Sequence, residues 1–388
     1  NNKTRFTRFF SRKKSKQQTE ETRKPRFIIS GGGTGGHIFP AISIANALRQ
    51  KCPEADILFV GAENRMEMEK VPAAGYPIIG LPVRGFDRQH LLSNVKTLFQ
   101  LLRSMCKAHK LIREFKPDVA VGVGGYASGP LLRAAAAKKI PCLIQEQNSY
   151  AGITNKLLAA GAARICVAYE GMERFFPKEK ILLTGNPVRQ DLLRSLNQKE
   201  AALKHFGLKP DRPVLLVLGG SLGARSINRA VQQQLESIEK SRVQLIWQTG
   251  KYYYEDIMAA NAELNNKAIL ITDFISRMDY AYALADLVVS RAGAGSISEF
   301  ALLGKAVLLV PSPNVAEDHQ TQNALALVRK GAAVMISDEE ACEKLIPEAL
   351  ALLEQPGRLQ ELRSAIKKMA LPHAAEHIAD EIIKLAKI

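Results

Sequence analysis

The sequence predicts an α/β fold of two doubly wound halves, each a parallel sheet covered by helices, facing one another across a cleft. Three observations carry that expectation. A β-prone run enters a glycine-rich loop and then a helical pattern near residue 30. The same order begins again near residue 214. A length of 388 residues is too great for one comfortable core and suits two α/β domains.

The first half opens at Arg26-Phe27-Ile28-Ile29-Ser30 and turns through Gly31-Gly32-Gly33-Thr34-Gly35-Gly36. A helix follows from about Phe39, with Ile42, Ile44, Ala45 and Leu48 apolar. Further strands are expected at Ile57–Val60, Val119–Val123, Leu143–Ile144 and Ile181–Leu183. Helical stretches between them suggest a parallel sheet covered on both faces. The second half opens at Pro213–Leu218, turns through Gly219-Gly220-Ser221-Leu222-Gly223-Ala224, and continues at Gln244–Trp247, Ala268–Ile271, Leu287–Val289 and Ala306–Val310. The halves meet near Asn186-Pro187, so the expected domains are 27–187 and 188–371. A last helix over 372–388 has Ile378, Ile382, Leu385 and Ile388 at helical spacing and is expected to cross back onto the first half.

The glycine loops are the candidate ligand sites, because ligands of such sheets sit beyond the carboxyl ends of the strands. Gly31-x-Gly33-x-x-Gly36 matches the dinucleotide fingerprint. That reading needs an acid at the end of the second strand to hold a ribose. Here that strand ends at Gly61, and the nearest acid, Glu63, falls in the next loop. The dehydrogenase reading is therefore disfavoured. The loop still lets backbone approach a ligand, and a helix N-terminus favours anionic groups. Gly219–Gly223 offers the same chemistry with the Ser221 hydroxyl. A third loop, Ser290 to Glu299, follows the strand at Leu287–Val289 and presents amides suited to a diphosphate. Glu299 is open to two roles, a partner of the helix dipole or an acceptor for ribose hydroxyls.

Composition excludes several classes. Apolar residues at 46% and charged residues at 24% describe a globular chain. Five cysteines, odd in number and without a C-x-x-C pair, suggest neither a disulfide framework nor a zinc site, and fit a reducing compartment. No apolar run is long enough to span a bilayer, and the basic start is not followed by the apolar region of a signal peptide. Residues 1–26 carry ten Lys/Arg against Glu20 and Glu21, a net +8 and half of the chain's formal +16. We expect a disordered basic tail there, either a solvated extension or a contact for anionic lipid or nucleic acid.

With these motifs in place, the chain resembles a known family. Gly32-Gly33-Thr34-Gly35-Gly36-His37-Ile38-Phe39-Pro40-Ala41 resembles the opening signature of the MurG family of N-acetylglucosaminyltransferases. Gly124–Pro130, Glu146-Gln147-Asn148, Gly152–Lys156, Gly185–Arg189, Gly219–Ala224, Asp273-Phe274-Ile275, Arg291–Glu299 and Asp318–Ala324 are similar to its further motifs, in its order. The resemblance covers roughly 27–388. It implies the GT-B fold of two Rossmann-like lobes, with the donor held mainly by the second. It also implies an inverting transfer of GlcNAc from UDP-GlcNAc to the C4 hydroxyl of MurNAc in an undecaprenyl-diphospho-pentapeptide, lipid I to lipid II. The enzyme would work peripherally at the cytoplasmic face of the bacterial membrane, among other wall or division proteins, with no nucleic acid partner. One departure stands out. The family often has His before Glu-Gln-Asn, and here that residue is Gln145.

No Asp-x-Asp occurs, and the seven histidines form no ligand cluster, so no cofactor or obligatory metal is expected. His37 is the one titratable side chain of the first glycine loop and the candidate general base. The resemblance places Thr34, Gly35, Gly36 and Asn148 at the donor sugar and diphosphate. It places Arg189, Ser221, Ile275, Ala294, Gly295, Ser296, Ile297, Ser298, Glu299 and Gln320 around the nucleotide and sugar. Within that set Ile275 presents backbone to uracil, Glu299 holds the ribose and Gln320 reads sugar hydroxyls. His319 and Asp318 are neighbours without an assigned role.

Leu91, Leu92, Val95, Leu98, Phe99, Leu102 and Met105 recur at helical spacing beside Lys96, Arg103, Lys107 and Lys110. Such a basic amphipathic helix is suited to an anionic membrane surface, or else packs on its own sheet. Two other functions stay open from sequence, a transferase acting on another lipid acceptor such as diacylglycerol, and a non-catalytic nucleotide-sugar-binding scaffold.

Overall fold

The computed structural model describes residues 23–83, 94–188, 192–193, 198–220 and 222–387. Residues 1–22 of the expected tail, Leu91, Leu92, Arg189 and Ser221 lie outside the described residues. Val95 and Lys96 fall in a described helix whose side chains there are not described.

Two parallel sheets organise the chain. The first is ordered β3-β2-β1-β4-β5-β6-β7. Its strands are β1 (Arg26–Gly31), β2 (Asp56–Ala62), β3 (Ile78–Leu81), β4 (Val119–Gly124), β5 (Cys142–Glu146), β6 (Arg164–Val167) and β7 (Ile181–Leu183). The second is ordered β10-β9-β8-β11-β12-β13. It comprises β8 (Val214–Leu218), β9 (Gln244–Gln248), β10 (Ile269–Thr272), β11 (Leu287–Ser290), β12 (Val307–Leu309) and β13 (Val334–Met335). In both sheets the order turns back beside the first strand, so the loops after β1 and β4, and after β8 and β11, open on the cleft side.

The apolar runs in these strands follow from burial on both faces. Along β1, Phe27 and Ile29 join one core cluster and Ile28 the opposite one. Along β8, Leu215 and Val217 face one way, Val214, Leu216 and Leu218 the other. The helices used below are α1 (Gly35–Lys51), α2 (Glu67–Ala73), α3 (Asn94–Phe115), α4 (Ser128–Ala137), α5 (Ala294–Leu303), α6 (His319–Val328) and α7 (Ala374–Ala386). The C-terminal α7 does cross back. Ile378, Ala379 and Ile382 pack with Phe27, Ile29 and Leu48 of the first lobe, and Lys51 meets Asp380 at 2.6 Å. Burying Ile378 and Ile382 fully is worth about 1.5–3 kcal/mol each.

Three expectations shift. Arg23 pairs with Asp118 at 3.3 Å and Arg26 begins β1, so the folded body reaches back into the segment expected as tail. Helix α1 starts at Gly35, one turn before Phe39, because the Thr34 carbonyl accepts both His37 N–H at 3.1 Å and Ile38 N–H at 3.2 Å. Those bonds outweigh the poor helix propensity of Gly35 and Gly36. Strands β3, β6 and β13 had no counterpart in the sequence reading.

Candidate active site

The first-lobe wall is built on the loop leaving β1. Gly31 is forced to be glycine, since a Cβ there would lie 2.8 Å from the His37 carbonyl oxygen and 2.9 Å from Ala41 Cβ. Thr34 caps α1 in extended geometry, and His37 follows in the first helical turn. Its Nδ1 lies 3.1 Å from the Gly32 carbonyl oxygen and 3.3 Å from Thr34 Oγ1. A carbonyl only accepts, so this bond puts the ring hydrogen on Nδ1 and leaves Nε2 as the basic nitrogen.

The ring packs over the end of β4. A Cβ on Gly124, whose φ is +112°, would come within 2.4 Å of His37 Cδ2 and 2.7 Å of Nε2. Burial lowers the His37 pKa from its ordinary value. The Gly32 carbonyl raises it, His319 from α6 of the second lobe lowers it, and Glu67 raises it. The net result is a neutral imidazole at neutral pH, able to take a proton.

Asn148 sits on the loop after β5, shaped by Glu146. That buried carboxylate accepts the Asn148 N–H at 3.0 Å, Asn148 Nδ2 at 3.3 Å, the Gly152 N–H at 3.1 Å and Asn155 Nδ2 at 2.8 Å. Burial raises its pKa against the pull of those bonds. Gln145, where the family often has His, does not reach the cleft. It is fully buried, and its Nε2 donates to Asn186 Oδ1 at 3.0 Å.

From Asn186 the network crosses lobes. Its Nδ2 donates to the Gln147 carbonyl and to Ser298 Oγ, both at 3.0 Å, and Ser298 Oγ donates to the Ala294 carbonyl at 2.9 Å. A second crossing runs through Asn323 of α6, which takes the Ser149 N–H at 2.9 Å.

The second-lobe wall is the loop from β11 into α5. Gly293 caps the helix in extended geometry, and no acid stands in its first turn. The N–H groups of Ala294, Gly295 and Ser296 therefore have no helical partner and carry the positive end of the dipole. A Cβ at Gly295 would meet nothing, so the approach is open. Arg291 braces the loop by donating to the Val310 and Pro311 carbonyls, both at 3.1 Å, and by pairing with Asp338. Ile297 and Ile275 point into the second-lobe core, so only their backbones can serve a ligand. Glu299 Oε2 accepts the Tyr282 hydroxyl at 2.9 Å, and Gln320 Oε1 accepts the Ser312 N–H at 2.9 Å.

The structure thus gathers Thr34, Gly35, Gly36, His37 and Asn148 on one wall, and Ala294 to Glu299 and Gln320 on the other. Sequence reasoning did not single out Glu67 and Tyr282. Nothing in a lone sequence marks either, since one binds backbone amides and the other a carboxylate on another helix. Among the described residues no group of three His, Cys, Asp or Glu is placed to hold a metal ion.

Of the stripe on α3, Leu98, Phe99 and Leu102 are 53%, 62% and 58% exposed, whereas Ser104, Ala108, Leu111 and Ile112 on the other side are buried. Arg103 and Lys110 are exposed beside them. Lys107 pairs with Glu63 at 3.0 Å.

Two Rossmann-like lobes, with a histidine-bearing glycine loop on one and an open helix N-terminus on the other, have the architecture of the GT-B class. Residues 27–167 match the glycosyltransferase family 28 N-terminal domain, and residues 214–378 match the family 28 C-terminal domain. The chain belongs to glycosyltransferase family 28. A relative from Parabacteroides distasonis is 62% identical over 363 residues, covering 94% of this chain and 99% of its own. One from Cytophaga hutchinsonii is 52% identical, covering 94% and 98%. Both are named UDP-N-acetylglucosamine–N-acetylmuramyl-(pentapeptide) pyrophosphoryl-undecaprenol N-acetylglucosamine transferase. The crystal structure of Acinetobacter baumannii MurG superposes with a TM-score of 0.75 at 28% identity, covering 93% of this chain and 99% of that one.

Proposed function

We propose that this protein transfers GlcNAc from UDP-GlcNAc to the C4 hydroxyl of MurNAc in undecaprenyl-diphospho-MurNAc-pentapeptide, with His37 as general base. The observation that carries the reading is the His37 imidazole. Its Nδ1 is committed to the Gly32 carbonyl, and its Nε2 is left basic at the start of α1, within electrostatic reach of His319 from the second lobe.

In this reaction Nε2 takes the proton of the acceptor hydroxyl as its oxygen attacks the anomeric carbon of the donor. The bond from that carbon to the diphosphate breaks, UDP leaves, and direct displacement turns an α-linked donor into a β-linked product. The charge growing on UDP is met by the amides of Ala294, Gly295 and Ser296 at the positive end of α5. Glu299, steadied by Tyr282, suits the ribose because a carboxylate accepts two bonds from a cis-diol. Gln320, Asn148, Thr34, Gly35 and Gly36 line the sugar, and Ile275 offers backbone to the base. Arg189 and Ser221 belong to the same donor site by resemblance. The reaction uses no resident metal in this reading.

The acceptor's polyprenyl chain calls for a membrane surface. Leu98, Phe99 and Leu102, flanked by Arg103 and Lys110, form a patch suited to the interface of an anionic membrane at its cytoplasmic face. Other wall-synthesis or division proteins would meet the enzyme there.

The test is release of UDP from UDP-GlcNAc with a lipid I analogue in the presence of a chelator, comparing wild type with His37→Ala. Acceptor-dependent release that is largely lost in the variant is expected. Full turnover by His37→Ala would remove the base, and a requirement for added metal would remove the metal-free reaction. Release only with diacylglycerol would change the acceptor.

A further inference from the structure

Glu67 is a fully buried carboxylate that the proposed chemistry leaves unused. It opens α2, far in sequence from the first glycine loop, yet it reaches that loop. One oxygen accepts the Ala62 N–H at 2.9 Å and the other accepts the Gly33 N–H at 3.0 Å. Among the described residues no cation pairs with it. Two glycines make room for it. A Cβ on Gly32 would lie 2.1 Å from its Oε1, and one on Gly61 would lie 2.5 Å from its Cγ. The end of β2, where a dinucleotide fold would place a ribose-binding acid, thus holds a glycine, and the acid that comes in holds the loop itself.

The peptide between Gly32 and Gly33 is the link. Its N–H points to Glu67, and its C=O accepts His37 Nδ1 at 3.1 Å. A trans peptide is rigid and planar, with N–H and C=O directed oppositely, so whatever fixes one end aims the other. A negative charge on the N–H side also polarises the unit and strengthens the carbonyl as an acceptor, as in any chain of hydrogen bonds.

We infer that Glu67 is a positioning residue for the transfer reaction, acting through the Gly32–Gly33 peptide to hold His37 in its Nδ1–H tautomer with Nε2 aimed at the cleft. This inference rests on His37 being the base. It does the work of a carboxylate placed directly on a catalytic imidazole, with one peptide interposed. The charge also favours the protonated ring, opposing the effect of burial and of His319, the other titratable group that faces it.

The test has two arms. In the wild-type protein, nitrogen NMR of labelled histidine above pH 8 should show His37 as the Nδ1–H tautomer; an Nε2–H ring overturns the inference. In Glu67→Gln, which keeps the size and loses the charge, the His37 ring should titrate at lower pH than in wild type. Its kcat should fall at least about tenfold, less than the roughly 10⁴-fold loss when a carboxylate directly on the base is replaced. UDP affinity should stay within about twofold, given that in the proposed site the nucleotide is met by α5, Glu299 and Ile275 of the second lobe and the loop held by Glu67 lines only the sugar. A variant with wild-type kcat and wild-type ring titration overturns the inference. If the Gln chain does not fold, the wild-type tautomer still decides. Tautomer and titration are read without substrate, so they stand apart from any failure of the transfer reaction, which His37→Ala reports.

Discussion

Asn323 Nδ2 lies 3.1 Å from Asn148 Oδ1, so one carboxamide of the second lobe holds the first-lobe asparagine proposed for the donor site. The same side chain accepts the Ser149 N–H at 2.9 Å and is fully buried. Replacing Asn323 with Ala breaks both bonds across the cleft and strands a buried amide, a cost of about 1–3 kcal/mol. We expect a lower unfolding midpoint and a KM for UDP-GlcNAc raised about tenfold, more than kcat falls. Calorimetry with steady-state kinetics checks this, and an unchanged KM would show that the latch plays no part in donor binding.

The pH dependence follows from His37. Burial lowers its pKa below the ordinary 6.5, so the ring stays neutral until the solution is more acidic than that. The acid limb of kcat/KM should have its midpoint below 6.5, and His37→Ala should lose the limb along with about 10²–10⁴ of the rate. Stability carries the same sign. The unfolded chain takes up the proton first, so this residue's contribution is whole above 6.5 and is lost as pH falls from there through the folded value. An acid limb centred above 6.5 would assign it to another group.

Tyr282 is buried and donates to Glu299 at 2.9 Å, steadying the carboxylate proposed for the ribose. Tyr282→Phe keeps the ring, which packs edge-on against Phe300, and removes only the hydroxyl. A net hydrogen bond to a charged group is worth about 1.5–3 kcal/mol. Glu299 can recover part of that from water, so UDP affinity should weaken about three- to tenfold. In a Glu299→Gln background the same substitution should matter less. Equal losses in both backgrounds, measured by titration calorimetry, would uncouple the pair.

The fold was largely legible because β1, β4 and β8 are buried on both faces and therefore read as unbroken apolar runs before glycine. Strand β13 was not, being two residues at the sheet edge that its neighbour, rather than its own pattern, defines. His37 was legible as the single titratable group in a glycine loop. Glu67 was not, because its partners are backbone amides, which leave no trace in side-chain pattern. The pairing of Asn148 with Asn323 spans 175 residues, and the identity of neither residue names the other. Gln145 shows a further limit: its place in the motif invites a cleft role, but the whole of β5 is buried and its carboxamide is taken up by Asn186, a partner 41 residues on that no pattern announces.

The patch on α3 separates membrane docking from chemistry. Leu98, Phe99 and Leu102 are exposed, so replacing all three with Ser removes apolar surface that the folded protein alone does not bury. Full burial of such side chains is worth roughly 1.5–3 kcal/mol each, and an interface that buries only half of each still contributes several kcal/mol together. Exposed Arg103 adds about 1 kcal/mol near an anionic surface, and Lys110, which lies 3.9 Å from Glu114, adds less. The triple variant should therefore sediment with anionic vesicles at least tenfold less well at physiological salt. Its melting temperature and its turnover of a short-chain, water-soluble acceptor should stay at wild-type values, because these side chains are exposed and remote in sequence from His37 and Glu299. Turnover of a full-length polyprenyl acceptor in vesicles should fall with the binding. Vesicle binding that survives the substitutions would move the docking surface elsewhere, and loss of soluble-acceptor turnover would mean that α3 shapes the acceptor site itself.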